Sequence, residues 1–158
     1  MVRLEHSTAQ CQEPPLGSHL VTPRRGYLHH GIYVGGGNVV HYSGLAGGLQ
    51  SGRIEEVPLA RFTRGRPMWI KTHATAQFEC REVIRRARSR VGEDCYHLLT
   101  NNCEHFCEWC LRGEPRSYQV EALLTRVNSL LSAVRFITQR LSVRGRVGLL
   151  VTRVVTNA

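Results

Sequence analysis

The stretch Tyr27-Leu28-His29-His30-Gly31-Ile32-Tyr33-Val34-Gly35-Gly36-Gly37-Asn38-Val39-Val40-His41-Tyr42 decides the architecture of this chain. Residues 31–34 and 39–42 are rich in β-branched and aromatic side chains. The glycines and Asn38 between them tolerate positive φ, so the segment predicts a β-hairpin. His29 and His41 flank it on opposite arms. Antiparallel pairing about the glycine turn brings the arms together and lets both imidazoles reach one end of the sheet. Because side chains alternate along a strand, only one of His29 and His30 faces a given site.

Upstream, Leu20-Val21 opens a short strand before the turn residues Pro23-Arg24-Arg25-Gly26. Residues 1–16 are polar and unpatterned, which predicts a flexible leader. Downstream, residues 43–52 form a glycine-rich loop, and strands are expected at 54–59 and 68–72. Within 80–91, Val83, Ile84, Ala87 and Val91 recur at helical spacing against Arg81, Arg85, Arg86 and Arg88, with Gly92 as the stop. Residues 101–111 read as a second helix, with an Asn cap and Gly113 at its end, which places Cys103 in the first turn.

After Pro115, apolar residues from Val120 to Leu141 recur every three or four positions, marking a long amphipathic helix. Residues 147–155 are a final apolar run containing Arg153, much shorter than the ~20 apolar residues of a spanning helix. Arg126, Arg135 and Arg140 oppose only Glu121, so the helix suits an anionic bilayer surface, or equally a packed position on the domain or a partner. The expected organisation is a leader (1–16), one folded domain (17–119) and a basic amphipathic tail (120–158).

The formal net charge of +9 rests almost wholly on arginine, since Lys71 is the only lysine. The planar guanidinium grips phosphate, so charge alone permits nucleic acid or anionic lipid. The interleaved aromatics or recognisable motif of a nucleic-acid binder are absent, and no nucleic-acid partner is expected. Cysteines at 11, 80, 95, 103, 107 and 110 are unevenly spaced, and no apolar segment follows Met1. A disulfide framework is therefore not expected, and a reducing cytoplasm is, with peripheral membrane association through the tail.

A thiol attacks as thiolate, and a helix N-terminus lowers its pKa; Cys103 is placed for this. A histidine completes the activation by taking the proton and returning it to the leaving group. His29 and His41 are the candidates, with His30 as a rival base. Cys103, Cys107 and Cys110 share a helical face, but zinc knuckles and ribbons draw ligands from two separated pairs, so no metal is expected and Cys107 and Cys110 read as packing residues.

Tyr27-Leu28-His29-His30-Gly31-Ile32-Tyr33-Val34-Gly35 with Val39-Val40-His41-Tyr42 resembles the histidine block of the lecithin:retinol acyltransferase (LRAT)-like family. Asn102-Cys103-Glu104-His105-Phe106 resembles its nucleophile block. The order His, His, Cys also matches, and the likeness spans roughly residues 17–120. It implies an α+β, permuted papain-like fold related to NlpC-type peptidases: an antiparallel sheet packed against the nucleophile helix, followed by a C-terminal amphipathic helix. It further implies Cys103 as nucleophile, His29 as general base and His41 as the group orienting it, the spacing to His41 favouring His29 over His30.

The implied reaction moves an acyl group from a glycerophospholipid ester to the thiol and then to water, an amine or an alcohol, with no cofactor. Backbone N–H groups at the helix start would hold the oxyanion, framed by Asn102; Glu104 and His105 read as structural. Two other readings remain open: an NlpC-type cysteine peptidase or amidase using the same thiol and imidazole, and a non-catalytic basic module that binds lipid or nucleic acid.

Overall fold

The computed structural model describes residues 4–5, 13–43, 52–73 and 77–155, with side chains from 13 to 139. The expected loop at 43–52 lies, from 44 to 51, outside the described residues. The strands are β1 (Leu4–Glu5), β2 (His19–Arg24), β3 (Tyr27–Gly35), β4 (Asn38–Tyr42), β5 (Ile54–Pro58) and β6 (Trp69–Lys71). They form one antiparallel sheet in the order β1-β6-β2-β3-β4-β5. The helices are α1 (Leu59–Thr63), α2 (Cys80–Ser89), α3 (Cys103–Arg112) and α4 (Tyr118–Val155). The fold is α+β, as the resemblance implies.

The hairpin forms where the glycines predict it. Tyr33 pairs with Val39 and Ile32 with Val40, and Gly36 and Gly37 take φ of 58° and 72°. A two-residue turn with positive φ at both positions matches the right-handed twist of its strands.

Alternation then gives the sheet two apolar faces. Ile32, Val34, Val40, Tyr42 and Ile54 pack with Val83 and Ala87 of α2 and with Cys103, Phe106, Cys107 and Cys110 of α3. Leu20, Tyr33, Val39 and Val57 pack on Phe62 of α1. Gly31 is required on that second face, because a Cβ there would come within 2.6 Å of Val39 Cγ1 and 2.8 Å of Phe62 Cε2.

Three details differ from the sequence reading. Leu4–Glu5, read as leader, pair with β6; two residues are too few to show a pattern. The single-turn α1 was not expected, since five residues carry no helical periodicity. Arg86, read with the solvated face of α2, instead donates from Nη2 to the Trp109 carbonyl at 2.9 Å and lies 4.0 Å over the Trp109 ring.

The chain divides into two compact units, Met1–Gln119 and Val120–Ala158. In the second, α4 runs unbroken to Val155; the two glycines on its way, Gly145 and Gly148, cost about 1 kcal/mol each. Leu123, Leu124, Val127, Leu130, Leu131, Val134, Phe136 and Ile137 are exposed along it. Among the described residues no helix is long and apolar enough to cross a membrane.

Candidate active site

Asn102 fixes the start of α3. Its Oδ1 accepts the N–H groups of Glu104 at 2.9 Å and His105 at 3.1 Å, and His105 Nδ1 accepts the Asn102 N–H in return. Its Nδ2 donates to the Leu98 carbonyl and to Ser117 Oγ. The side chain is thus consumed by capping and leaves no group to frame a substrate oxygen. His105 is a cap residue, in the structural role read for it.

Cys103, the first residue of α3, is 3% exposed and belongs to the α3-side core. Burial pushes its thiol up to about 12, although the N–H groups of His30, Cys103 and Glu104 face the sulfur and pull the other way. This reverses the expected lowering: backbone donors at a helix start do not replace the water that a thiolate loses on burial. The resting group is a neutral thiol.

His29 and His41 lie on the face occupied by Phe62, whose ring sits 5.3 and 5.5 Å from theirs. His29 Nε2 and His41 Nδ1 are 3.0 Å apart. Burial holds His29 well below the usual imidazole value, helped by the charges of His41, Arg24, His30 and Arg64. Burial likewise takes His41 to about 4. Both rings are neutral at pH 7. Among the described residues His29 Nδ1 has no hydrogen-bond partner, and neither imidazole is hydrogen-bonded to the Cys103 sulfur.

Glu55 escaped the sequence reading. It stands opposite His41 in the β4–β5 register, with Oε1 3.6 Å from His41 Nε2 and Oε2 3.4 Å from Arg61. The alternation of β5 marks it as polar, but only the register assigns it a partner.

His30, the rival base, points its ring elsewhere. Its Nδ1 lies 2.8 Å from His19 Nε2 and its Nε2 2.9 Å from Gln119 Nε2; only its backbone N–H meets the sulfur. The ring belongs to a buried polar layer that also escaped the sequence reading. Lys71 Nζ lies 3.0 Å from both Glu104 and Glu108. Glu104 Oε2 accepts from Ser117 Oγ at 2.8 Å and from the Gln119 N–H at 3.0 Å. Burial works against the Glu104 carboxylate, but His30, the Gln119 N–H, Lys71 and Ser117 outweigh it and hold its pKa low. The layer ties α3 to β6, β2 and β3 and so seats Cys103.

Donor atoms of His19, His73 and Glu108 lie within 4.8 Å of one another, a set of the kind that holds metals. Here the two imidazoles bond directly at 2.8 Å, and Lys71 and Arg112 already supply Glu108 with positive charge. A cation would enter against both. Cys107 and Cys110 are buried in the core, as packing residues.

The model of the family described as lecithin retinol acyltransferase matches residues 12–116. Human phospholipase A and acyltransferase 2 is 31% identical over 130 residues, covering 72% of this chain and 80% of that protein. Mouse phospholipase A and acyltransferase 3 is 29% identical over 161 residues, covering 92% and 95%. Bovine lecithin retinol acyltransferase is 27% identical over 145 residues, covering 73% and 62%.

Proposed function

From the fact that this chain belongs to the lecithin retinol acyltransferase family, we propose that it is a thiol acyltransferase of the phospholipase A type, with Cys103 as nucleophile, His29 as base and His41 as the residue that orients it. The observation that carries this reading is the buried His29–His41 pair, which leaves His29 Nδ1 as the one nitrogen of the pair open to a proton. The tautomers follow. If Glu55 accepts from His41 Nε2, then His41 Nδ1 accepts from His29 Nε2, and His29 Nδ1 carries the lone pair.

The reaction starts from neutral partners. The thiol gives its proton to His29 Nδ1 as sulfur attacks the ester carbonyl of a glycerophospholipid; the two groups are not hydrogen-bonded here, so the transfer requires substrate binding to bring them within hydrogen-bond reach. The tetrahedral oxyanion is held by the backbone N–H groups around the sulfur rather than by Asn102. Collapse breaks the ester C–O bond, and the lysolipid oxygen leaves with the proton from His29. Water, an amine or an alcohol then gives its proton to His29, takes the acyl group and restores the thiol. No step calls for a cofactor.

The exposed apolar residues of α4 and the arginines among them suit an anionic bilayer surface, which would bring the domain to its substrate. Removing residues 120–158 is then expected to weaken liposome binding more than turnover of a short-chain soluble ester.

The deciding experiment is mass spectrometry of the protein after incubation with mixed phospholipids. An acyl mass on Cys103, lost in Cys103→Ala and strongly reduced in His29→Ala, is expected, with a smaller effect of His41→Ala. Phospholipid hydrolysis retained by Cys103→Ala overturns the reading. Release of a free amine from a peptide or amide, with no lipid turnover, favours the peptidase instead.

A further inference from the structure

The turn between β2 and β3 meets the C-terminal end of α1 through arginines. Arg24 donates from Nη2 to the Phe62 carbonyl and from Nη1 to the carbonyls of Pro23 at 3.1 Å and Thr63 at 3.5 Å. Arg66 donates to the Pro23 carbonyl at 3.3 Å. The backbone N–H of Arg64 donates to the Ala60 carbonyl at 2.9 Å, but its guanidinium makes no hydrogen bond or ion pair among the described residues. Arg64 is also the one described non-glycine residue at positive φ, 53°, in the left-handed position that closes α1. An arginine held where glycine is the usual resident costs about 1 kcal/mol.

The three guanidinium groups have no carboxylate partner among the described residues. The nearby Glu55 is engaged by Arg61 and His41. The cluster borders the active site, since α1 carries Phe62, against which both His29 and His41 lie. Its charge is felt there: Arg24 and Arg64 help to hold both imidazoles neutral, and Arg24 responds in turn to a charge on Cys103. Guanidinium groups without a carboxylate partner, beside a reacting centre, are suited to an oxyanion with two or three accessible oxygens.

We propose that Arg24, Arg64 and Arg66 form the receptor for the phosphate of a net-anionic phospholipid headgroup, an inference that rests on the lipid-ester reading and gives it a substrate preference. A zwitterionic headgroup places an ammonium beside the same phosphate. Among the described residues the cluster has no free acidic side chain to receive it, so a headgroup with no cation is bound better.

The test compares kcat/KM on micellar dihexanoyl-phosphatidylglycerol, dihexanoyl-phosphatidylcholine and the uncharged ester p-nitrophenyl butyrate, and follows glycerol 3-phosphate binding by calorimetry. A preference of about tenfold or more for phosphatidylglycerol over phosphatidylcholine is expected, from the strength of charge-assisted hydrogen bonds to phosphate. That preference, and glycerol 3-phosphate binding, are lost in the Arg64→Gly/Arg66→Ala protein. Arg64→Gly suits the left-handed position, so the variant folds.

Arg81→Ala/Arg85→Ala removes the same charge from the exposed side of α2 and keeps the preference. An equal loss in that control, or a preference that survives the Arg64→Gly/Arg66→Ala change, overturns the receptor. Absence of turnover on all three esters sinks the acyl-transfer reading alone. In that case arginine-dependent glycerol 3-phosphate binding sustains the receptor, and no binding by the wild type overturns it.

Discussion

Alkylation of the intact protein with iodoacetamide at pH 7.5 separates a resting thiol from a resting thiolate at Cys103. Burial moves this thiol from an ordinary 9.0 to about 12, so at a given pH it holds about a thousandfold less thiolate than an ordinary cysteine. A thiolate of higher pKa is the stronger nucleophile, and a Brønsted slope near 0.4–0.5 gives back roughly 16- to 32-fold. The net expectation is alkylation roughly 30- to 60-fold slower than an ordinary thiol, slowed further by the 3% exposure of the residue. Cys80 and Cys95 are exposed and unbridged and serve as internal references. Peptide mass spectrometry over a time course should find both carbamidomethylated well before Cys103. Modification of Cys103 first would refute the reasoning, because it requires a thiolate and imidazolium pair in the resting enzyme, with burial overcome by the helix end.

Three further outcomes follow from the same geometry. His41 has a folded pKa of about 4 against about 6.5 unfolded, so below pH 6.5 the unfolded chain binds the extra proton. Stability is complete above 6.5 and declines as the pH falls toward 4. By linkage this one residue removes about 2 kcal/mol between pH 7.5 and 5; urea titrations should show a flatter acid slope in His41→Gln, and an unchanged slope contradicts the burial argument. Lys71→Met leaves the buried carboxylates of Glu104 and Glu108 without their shared ammonium and should cost about 3 kcal/mol in chemical unfolding, whereas a neutral result means that Arg112 and His73 suffice. Gly31→Ala drives a methyl group into Val39 and Phe62, with an expected loss of 1–3 kcal/mol, roughly, and a lower kcat as Phe62 shifts against the two imidazoles; an unaltered Tm would show that Phe62 gives way freely.

Local pattern carried the elements whose cause is local. The Gly36-Gly37 turn, the β-branched arms around it and the Asn102 cap are legible because a few adjacent residues decide their dihedral angles. The helix α1 was not, since one buried phenylalanine in five residues leaves no period to read. Glu55 and the Lys71-centred layer depend on which strands lie side by side, which no short window contains. The thiol went the wrong way for a related reason: the helix end is a local feature, while the burial that outweighs it is set by the sheet and α2 together.

The segment that opens α4 holds Glu104 and His30 at once: the Gln119 N–H and Ser117 Oγ on Glu104, and Gln119 Nε2 on His30. Those bonds belong to the first compact unit, which ends at Gln119. A truncation intended to spare the folded domain must therefore cut after Gln119, since one turn earlier it releases both Glu104 and His30.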